Sequence, residues 1–217
     1  MARPVVHDDA VRARLLDVTA ELVDREGPAR VTLREVAASA GTSTTAVYSL
    51  FGGKAELLTA VVDGGFTSFA RSQRQAADGG LRALGLAYRE WALGHPALYR
   101  LMFGWAGRPG EQKSVAPTPE IADAAMAPLR DAVDAGQRSG LLREAPVDMV
   151  AFAIWGQVHG LVSLELACIE PAADWGEIYA EAIDAVARAW AAEGDLRPTS
   201  GPGERPRSRR GGQDRPG

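Results

Sequence analysis

Residues 31–54, VTLREVAASAGTSTTAVYSLFGGK, constrain this chain more than any other stretch. Thr32, with Glu35 three residues later, has the spacing of a capping box, in which each side chain satisfies an orphan backbone donor at a helix start. Val31 and Val36 flank that box as a hydrophobic staple, which sets how the chain enters the helix. Ala37 and Ala38 keep the helix slim, and Gly41 is placed to take the left-handed conformation that ends it. Thr42 or Ser43 then caps a second short helix, whose apolar residues Ala46, Val47, Leu50 and Phe51 recur at helical spacing. The face left over carries Ser43, Thr44, Thr45, Tyr48 and Ser49. Two short helices joined by a glycine turn, the second rich in hydroxyls at its start, have the geometry of a DNA-reading helix-turn-helix.

The flanking sequence predicts helices throughout. After a mobile arm at residues 1–7, Asp8 or Asp9 caps a helix with an apolar stripe of Val11, Leu15, Val18 and Leu22, which Gly27-Pro28 ends. A fourth helix starts near Lys54 and buries Leu57, Leu58, Val61, Val62, Phe66 and Phe69. Gly64 and Gly65 at its middle cost roughly 1 kcal/mol each relative to alanine and predict a bend. Further helices are expected near residues 81–94, 96–103, 119–138, 147–167 and 174–193, with a mobile Gly/Pro-rich loop at 104–119. Pro96 suits the first turn of its helix, and Pro128 predicts a kink or a late helix start. Beyond residue 194 the composition turns to Gly, Pro, Arg and Ser and predicts disorder. No alternating strand pattern occurs, so the fold class is all-α.

The segment from Leu15 to Val62, through LLDVTAELVDREG, VTLREVAASAG, STTAVYSLF and GGKAELLTAVV, resembles the DNA-binding domain of the TetR/AcrR family of transcriptional regulators. Further on, WGQVHG within AFAIWGQVHGLVSLELA resembles the Trp-His-Gly signature of one TetR-family C-terminal domain type. The resemblance implies an N-terminal three-helix helix-turn-helix DNA-binding domain at 8–54. It also implies a helical effector-binding and dimerisation domain at 55–194, ahead of an Arg/Gly/Pro-rich tail at 195–217. A homodimer is then expected to repress from a palindromic operator in double-stranded DNA, and to let go when a small apolar or aromatic effector binds. Expected DNA-binding residues are Thr32, Thr42, Ser43, Thr44, Thr45, Tyr48, Ser49 and Lys54. By the resemblance, Tyr48 and Lys54 clamp phosphates on either side of the recognition helix. Thr32 either adds a phosphate contact or serves only as a cap. The chain departs from many relatives in having Thr44 where a basic residue stands and YSLF where a His-rich run stands, which bears on base preference.

In the C-terminal part, the expected effector-binding residues are Tyr88, Trp91, Leu98, Met102, Phe103, Met126, Trp155 and His159, since aromatic and methionine side chains between helices suit an apolar cavity. The same residues would equally serve as core. His159 is read either as a structural hydrogen-bonding group or as a ligand contact, and Trp155 as core or pocket wall. Gly156 and Gly160 form a small-residue stripe that lets helices approach. With Ile178, Ile183, Val186 and Trp190 on the last helix they are the expected dimer interface.

Charge and composition exclude other classes. The net charge is −4, yet the tail after residue 196 holds six arginines against two acids. Residues 1–60 are nearly neutral, with seven basic and eight acidic side chains, so phosphate contacts must come from placed groups and helix N-termini rather than a basic field. The tail either adds sequence-independent attraction to DNA or merely solubilises. Three scattered histidines and the single Cys168 offer no metal cluster, no nucleophile pair and no disulfide, so neither an enzyme nor a metal or other cofactor is expected. No long apolar run or secretion signal appears, which points to a cytoplasmic protein without a membrane partner. The alternatives kept are a constitutive dimeric DNA-binding or interaction module without an effector, and an activator.

Overall fold

The computed structural model describes residues 5–104, 115–170 and 172–192, with side chains from residue 8. The tail at 195–217, most of the 104–119 loop and part of the N-terminal arm lie outside the described residues. Helix α1 (Val5–Glu26) begins before Asp8, so that acid sits inside the first turn, where it complements the helix dipole instead of capping. Its buried side comprises Leu15, Leu22 and Val23, and Gly27 at φ 83° turns the chain out of it. Helices α2 (Leu33–Ser39) and α3 (Thr44–Phe51) follow. Around them α1 and α4 (Lys54–Ala76) close a small apolar centre on Val36 and Val47, both fully buried.

Helix α4 runs unbroken through Gly64 and Gly65. Gly65 is there because something must come close: a β-carbon at that position would lie 2.7 Å from the Met102 sulfur. Helix α5 (Gly80–Gly94) packs on α4, and α6 (Pro96–Tyr99) passes directly into a π-helical turn over Arg100–Gly104. Helix α7 (Pro119–Arg138) starts at Pro119 and continues through Pro128, so the late start allowed by the sequence is not adopted. It lies along α4, and α8 (Val147–Leu166) and α9 (Trp175–Ala189) complete the bundle against α5 and each other.

One apolar cluster runs without interruption from Leu15 and Val47 in the helix-turn-helix, through Leu57, Phe69 and Trp91, to Val162 and Tyr179 in the C-terminal helices. A smaller cluster of Val133, Leu142, Val150 and Ile154 fills the far end. Polar ties fix the helices in place. Arg89 on α5 grips Glu165 on α8 through two hydrogen bonds of 2.8 and 2.6 Å. The buried Tyr179 hydroxyl donates to the Gly85 carbonyl at 3.0 Å, bringing α9 so near α5 that a β-carbon on Gly85 would collide with Ile183. Although no long apolar run stands out in the sequence, α8 alone among the described helices is long and apolar enough to cross a membrane, with a window of mean hydropathy 1.4. Here α5, α7 and α9 cover one of its sides.

Candidate DNA interface and effector pocket

The helix-turn-helix is assembled by the local bonds its sequence encodes. The Thr32 hydroxyl accepts from the Glu35 amide at 3.2 Å, and the Glu35 carboxylate accepts from the Thr32 amide at 3.1 Å and from its hydroxyl at 2.8 Å. These bonds hold the Glu35 carboxyl below the ordinary carboxylate range. Since the hydroxyl both donates and accepts within the box, the plain capping role of Thr32 is satisfied in full. Gly41 adopts φ 63° in the turn, and Ser43, not Thr42, caps α3 by accepting from the Ala46 amide at 3.1 Å. Gly52 at φ 90° ends α3, and its position directly after Phe51 is a usual stop signal.

Val47 anchors α3 inward, which turns the hydroxyl face out. Ser43, Thr44, Thr45, Tyr48 and Ser49 are all exposed, Tyr48 at 58%. Thr42, Ser43, Thr45 and Ser49 line one side of a hollow of about 370 Å³ whose other side is the start of α1. Lys54, at the first position of α4, sends its ammonium to the Ala29 carbonyl at 3.0 Å. That bond ties the start of α4 to the loop before α2 and uses one of the three ammonium donors.

In the C-terminal half, α5, α6 and α8 meet at a polar knot. The Tyr88 and Tyr99 hydroxyls both stand 2.9 Å from His159 Nδ1. Burial keeps the imidazole below its ordinary pKa and the Tyr88 and Tyr99 phenols above theirs, so all three are neutral near pH 7. A neutral ring nitrogen satisfies a single hydroxyl. Tyr99 has other acceptors, the His159 carbonyl at 3.3 Å and the Ser163 hydroxyl at 3.2 Å. Both hydroxyls and Nδ1 are satisfied when Tyr88 donates to Nδ1 and Tyr99 donates to one of those oxygens, which leaves the ring proton on Nε2 without a partner among the described residues. Above the knot opens a pocket of about 200 Å³, walled by Tyr99, Phe103 and His159, with Arg100, Ser163 and Leu166 at its edge. Arg100 also reaches the last turns of α1, where its Nε and one terminal nitrogen donate to the two Asp24 oxygens at 2.5 and 2.7 Å.

The comparisons agree with both halves of this architecture. Residues 15–61 match the family described as bacterial regulatory proteins, tetR family, and residues 81–186 match a tetracyclin repressor-like C-terminal domain. This chain belongs to the TetR family of transcription regulators. The solved structure of putative regulatory protein SCO4313 is 30% identical, covers 85% of this chain and 98% of its own, and superposes with a TM-score of 0.69. A protein of unknown function from Rhodococcus sp. RHA1 is 26% identical over 83% of this chain and 95% of its own, also at 0.69. The regulator FadR from Bacillus subtilis, solved with stearoyl-CoA, shares the fold at 15% identity, over 81% of this chain and 97% of its own, at 0.67. No curated protein matches the sequence at a significant level.

Within this TetR-family chain, the residues expected to line an effector cavity are dispersed. Phe103 and His159 line the pocket, and Trp155 touches both rings from behind, with centroids 6.1 and 5.3 Å away. Tyr88, Trp91 and Met102 are core instead, the first two packed edge-on against Phe69. Leu98 lines a separate cleft between α1, α4 and α6, and Met126 is half-buried on α7 and lines neither space. The expected dimer residues divide similarly. Gly156 and Gly160 have open space where a side chain would stand, and Ile178 is exposed. Ile183 is 2% exposed against α5 of its own chain, while Val186 and Trp190 pack on the far-end cluster, Trp190 under the Arg143 guanidinium at 4.2 Å. Those three stabilise the protomer, because α9 turns its strongest apolar stripe inward. Sequence reasoning missed Tyr99, Arg100 and Ser163, which lie on a short helix, a π turn and a polar position of an apolar helix.

Proposed function

We propose that the chain acts as a homodimeric repressor, holding a partly palindromic operator and releasing it when a small molecule occupies the pocket beside His159. The observation that carries the reading is the path between the two halves. The pocket wall includes Arg100, and the Arg100 guanidinium is paired with Asp24 in the helix on which the helix-turn-helix is built. A ligand that shifts the π turn therefore pulls on α1 directly, and differential binding to two arrangements is what effector control requires.

Contacts with DNA fall to the exposed hydroxyls of α3, to Tyr48 and to Lys54, with Thr42 and Thr32 flanking them. Dimerisation falls to the outer face of α8, where Met149, Phe152 and Leu164 are exposed beside the open Gly156 and Gly160. An exposed apolar stripe of this kind marks an association surface. A two-fold dimer would present two recognition helices about 34–36 Å apart, one turn of DNA. That FadR was solved in complex with stearoyl-CoA fits a sensing role for a chain of this fold.

The test is selection of binding sites from random DNA by the purified full chain, repeated with a panel of small aromatic and aliphatic compounds. A palindromic consensus whose recovery falls with at least one compound is expected. A consensus indifferent to every compound would favour a constitutive module, a reading that the dense packing of Tyr88, Trp91 and Phe69 also suits.

A further inference from the structure

We infer that the pocket beside His159 takes a single-ring aromatic carboxylate, and that the ligand binds by taking Arg100 away from Asp24. The inference rests on the sensing role proposed above and adds to it a ligand class and the contact that is exchanged. Size comes first. An apolar cavity of roughly 150 Å³ holds benzene, so about 200 Å³ holds one ring and one compact substituent, and a long acyl chain would not fit.

Shape and polarity then select the ring and its substituent. Phe103 and His159 meet edge-on with centroids 4.9 Å apart, Tyr99 and Phe103 lie at 5.1 Å, and Tyr99 and His159 at 5.5 Å. Three rings at such spacings leave faces and edges that complement another aromatic ring. Of the residues that line the pocket, Arg100 alone is charged. A guanidinium fork matches a carboxylate in plane and in donor spacing. Ser163 and the His159 Nε2 proton supply further donors, and Nε2 has no hydrogen-bond partner among the described residues.

Asp24 already occupies two of the five Arg100 N–H groups. A second carboxylate on the same guanidinium would stand beside the first and repel it. Asp24 is partly exposed, with 23% of its side-chain surface accessible, and so can return to water at little cost. The outcome of binding is exchange of one carboxylate for another, which frees the last turns of α1 from the π turn.

The experiment uses the full chain, calorimetric titration with benzoate and with neutral benzamide, and the variants Arg100→Gln and Asp24→Asn. Benzoate is expected to bind and benzamide to bind at least about ten-fold more weakly, the worth of one charge-assisted hydrogen bond. Arg100→Gln should abolish that preference. Asp24→Asn should raise benzoate affinity by about ten-fold, because the competing anion is gone. A gain of affinity cannot come from misfolding, so this variant keeps the test decisive. Equal binding of benzoate and benzamide, unchanged benzoate affinity in Asp24→Asn, or no benzoate binding at millimolar concentration would each overturn the assignment. DNA affinity is read in parallel. Release of operator by a neutral compound, with no benzoate binding, would leave the sensing role standing and sink the carboxylate. Benzoate binding with the expected variant pattern, but no change in DNA affinity, would support the carboxylate site and sink the sensing role.

Discussion

Lys54 and His159 each have a structural partner that a linear motif does not reveal. The Lys54 ammonium reaches the Ala29 carbonyl, so replacing it removes an internal bond as well as a candidate phosphate partner. Lys54→Ala should therefore lower urea stability by up to about 1 kcal/mol and flatten the plot of log DNA affinity against log salt by about 0.9. An unchanged slope would remove Lys54 from the DNA interface, and the stability change would remain. His159 is held neutral by burial, below its ordinary value of 6.5. A base with a depressed folded-state pKa contributes stability that is complete above its unfolded value and is lost as pH falls through it. The melting temperature should fall as pH drops below about 6.5, and the fall should be shallower in His159→Gln. Parallel pH profiles for the two proteins would contradict the assignment.

At the scale of elements, glycines in similar helical settings carry opposite meanings. Gly64 is exposed on α4 with open space where a β-carbon would stand, whereas Gly85 on α5 leaves only 2.6 Å to Ile183 Cδ1. Gly64→Ala should stabilise the fold by up to about 1 kcal/mol, the helix-propensity difference. Gly85→Ala gains the same propensity but must displace a buried β-branched side chain, a cost of about 1–3 kcal/mol, so its net effect should be neutral to destabilising. Denaturant midpoints measured side by side check the ordering. In the sequence both positions simply look like weak spots in a helix. Helix α4 continues without a break through Gly64-Gly65, with α5, α7 and the π turn packed along it. The π turn itself had no signal: an i→i+5 step at Arg100–Gly104 depends on what its side chains meet, here Asp24 on one side and the His159 knot on the other.

For the whole molecule, the proposed dimer rests on the outer face of α8. Phe152 is half exposed there, one turn before Gly156. Phe152→Glu should shift the dimer to monomer in sedimentation at micromolar concentration while leaving the circular dichroism of the protomer intact. Replacing Gly160 with tryptophan should do the same by preventing close approach. Loss of helicity in Phe152→Glu would instead place that ring in the protomer core. Much of the architecture was legible beforehand. The capping box, the staple, Gly27, Gly41 and the inward positions of α1, α3 and α4 act within one turn or one helix face, so spacing along the chain suffices to identify them. The family resemblance rested on the same local patterns. What remained hidden depends on which faces meet across the bundle. Ile183, Val186 and Trp190 have the periodicity of an interface, yet α9 buries the first and half-buries the other two against its own chain. Tyr88, Trp91 and Met102 have the composition of a pocket, yet they fill the core. Tyr99, Arg100 and Ser163 carry no periodic signal, and only the convergence of α5, α6 and α8 places them around His159. Local hydrogen bonding and amphipathic period are properties of the sequence itself, whereas the choice between core, pocket and interface belongs to packing among helices far apart in the chain.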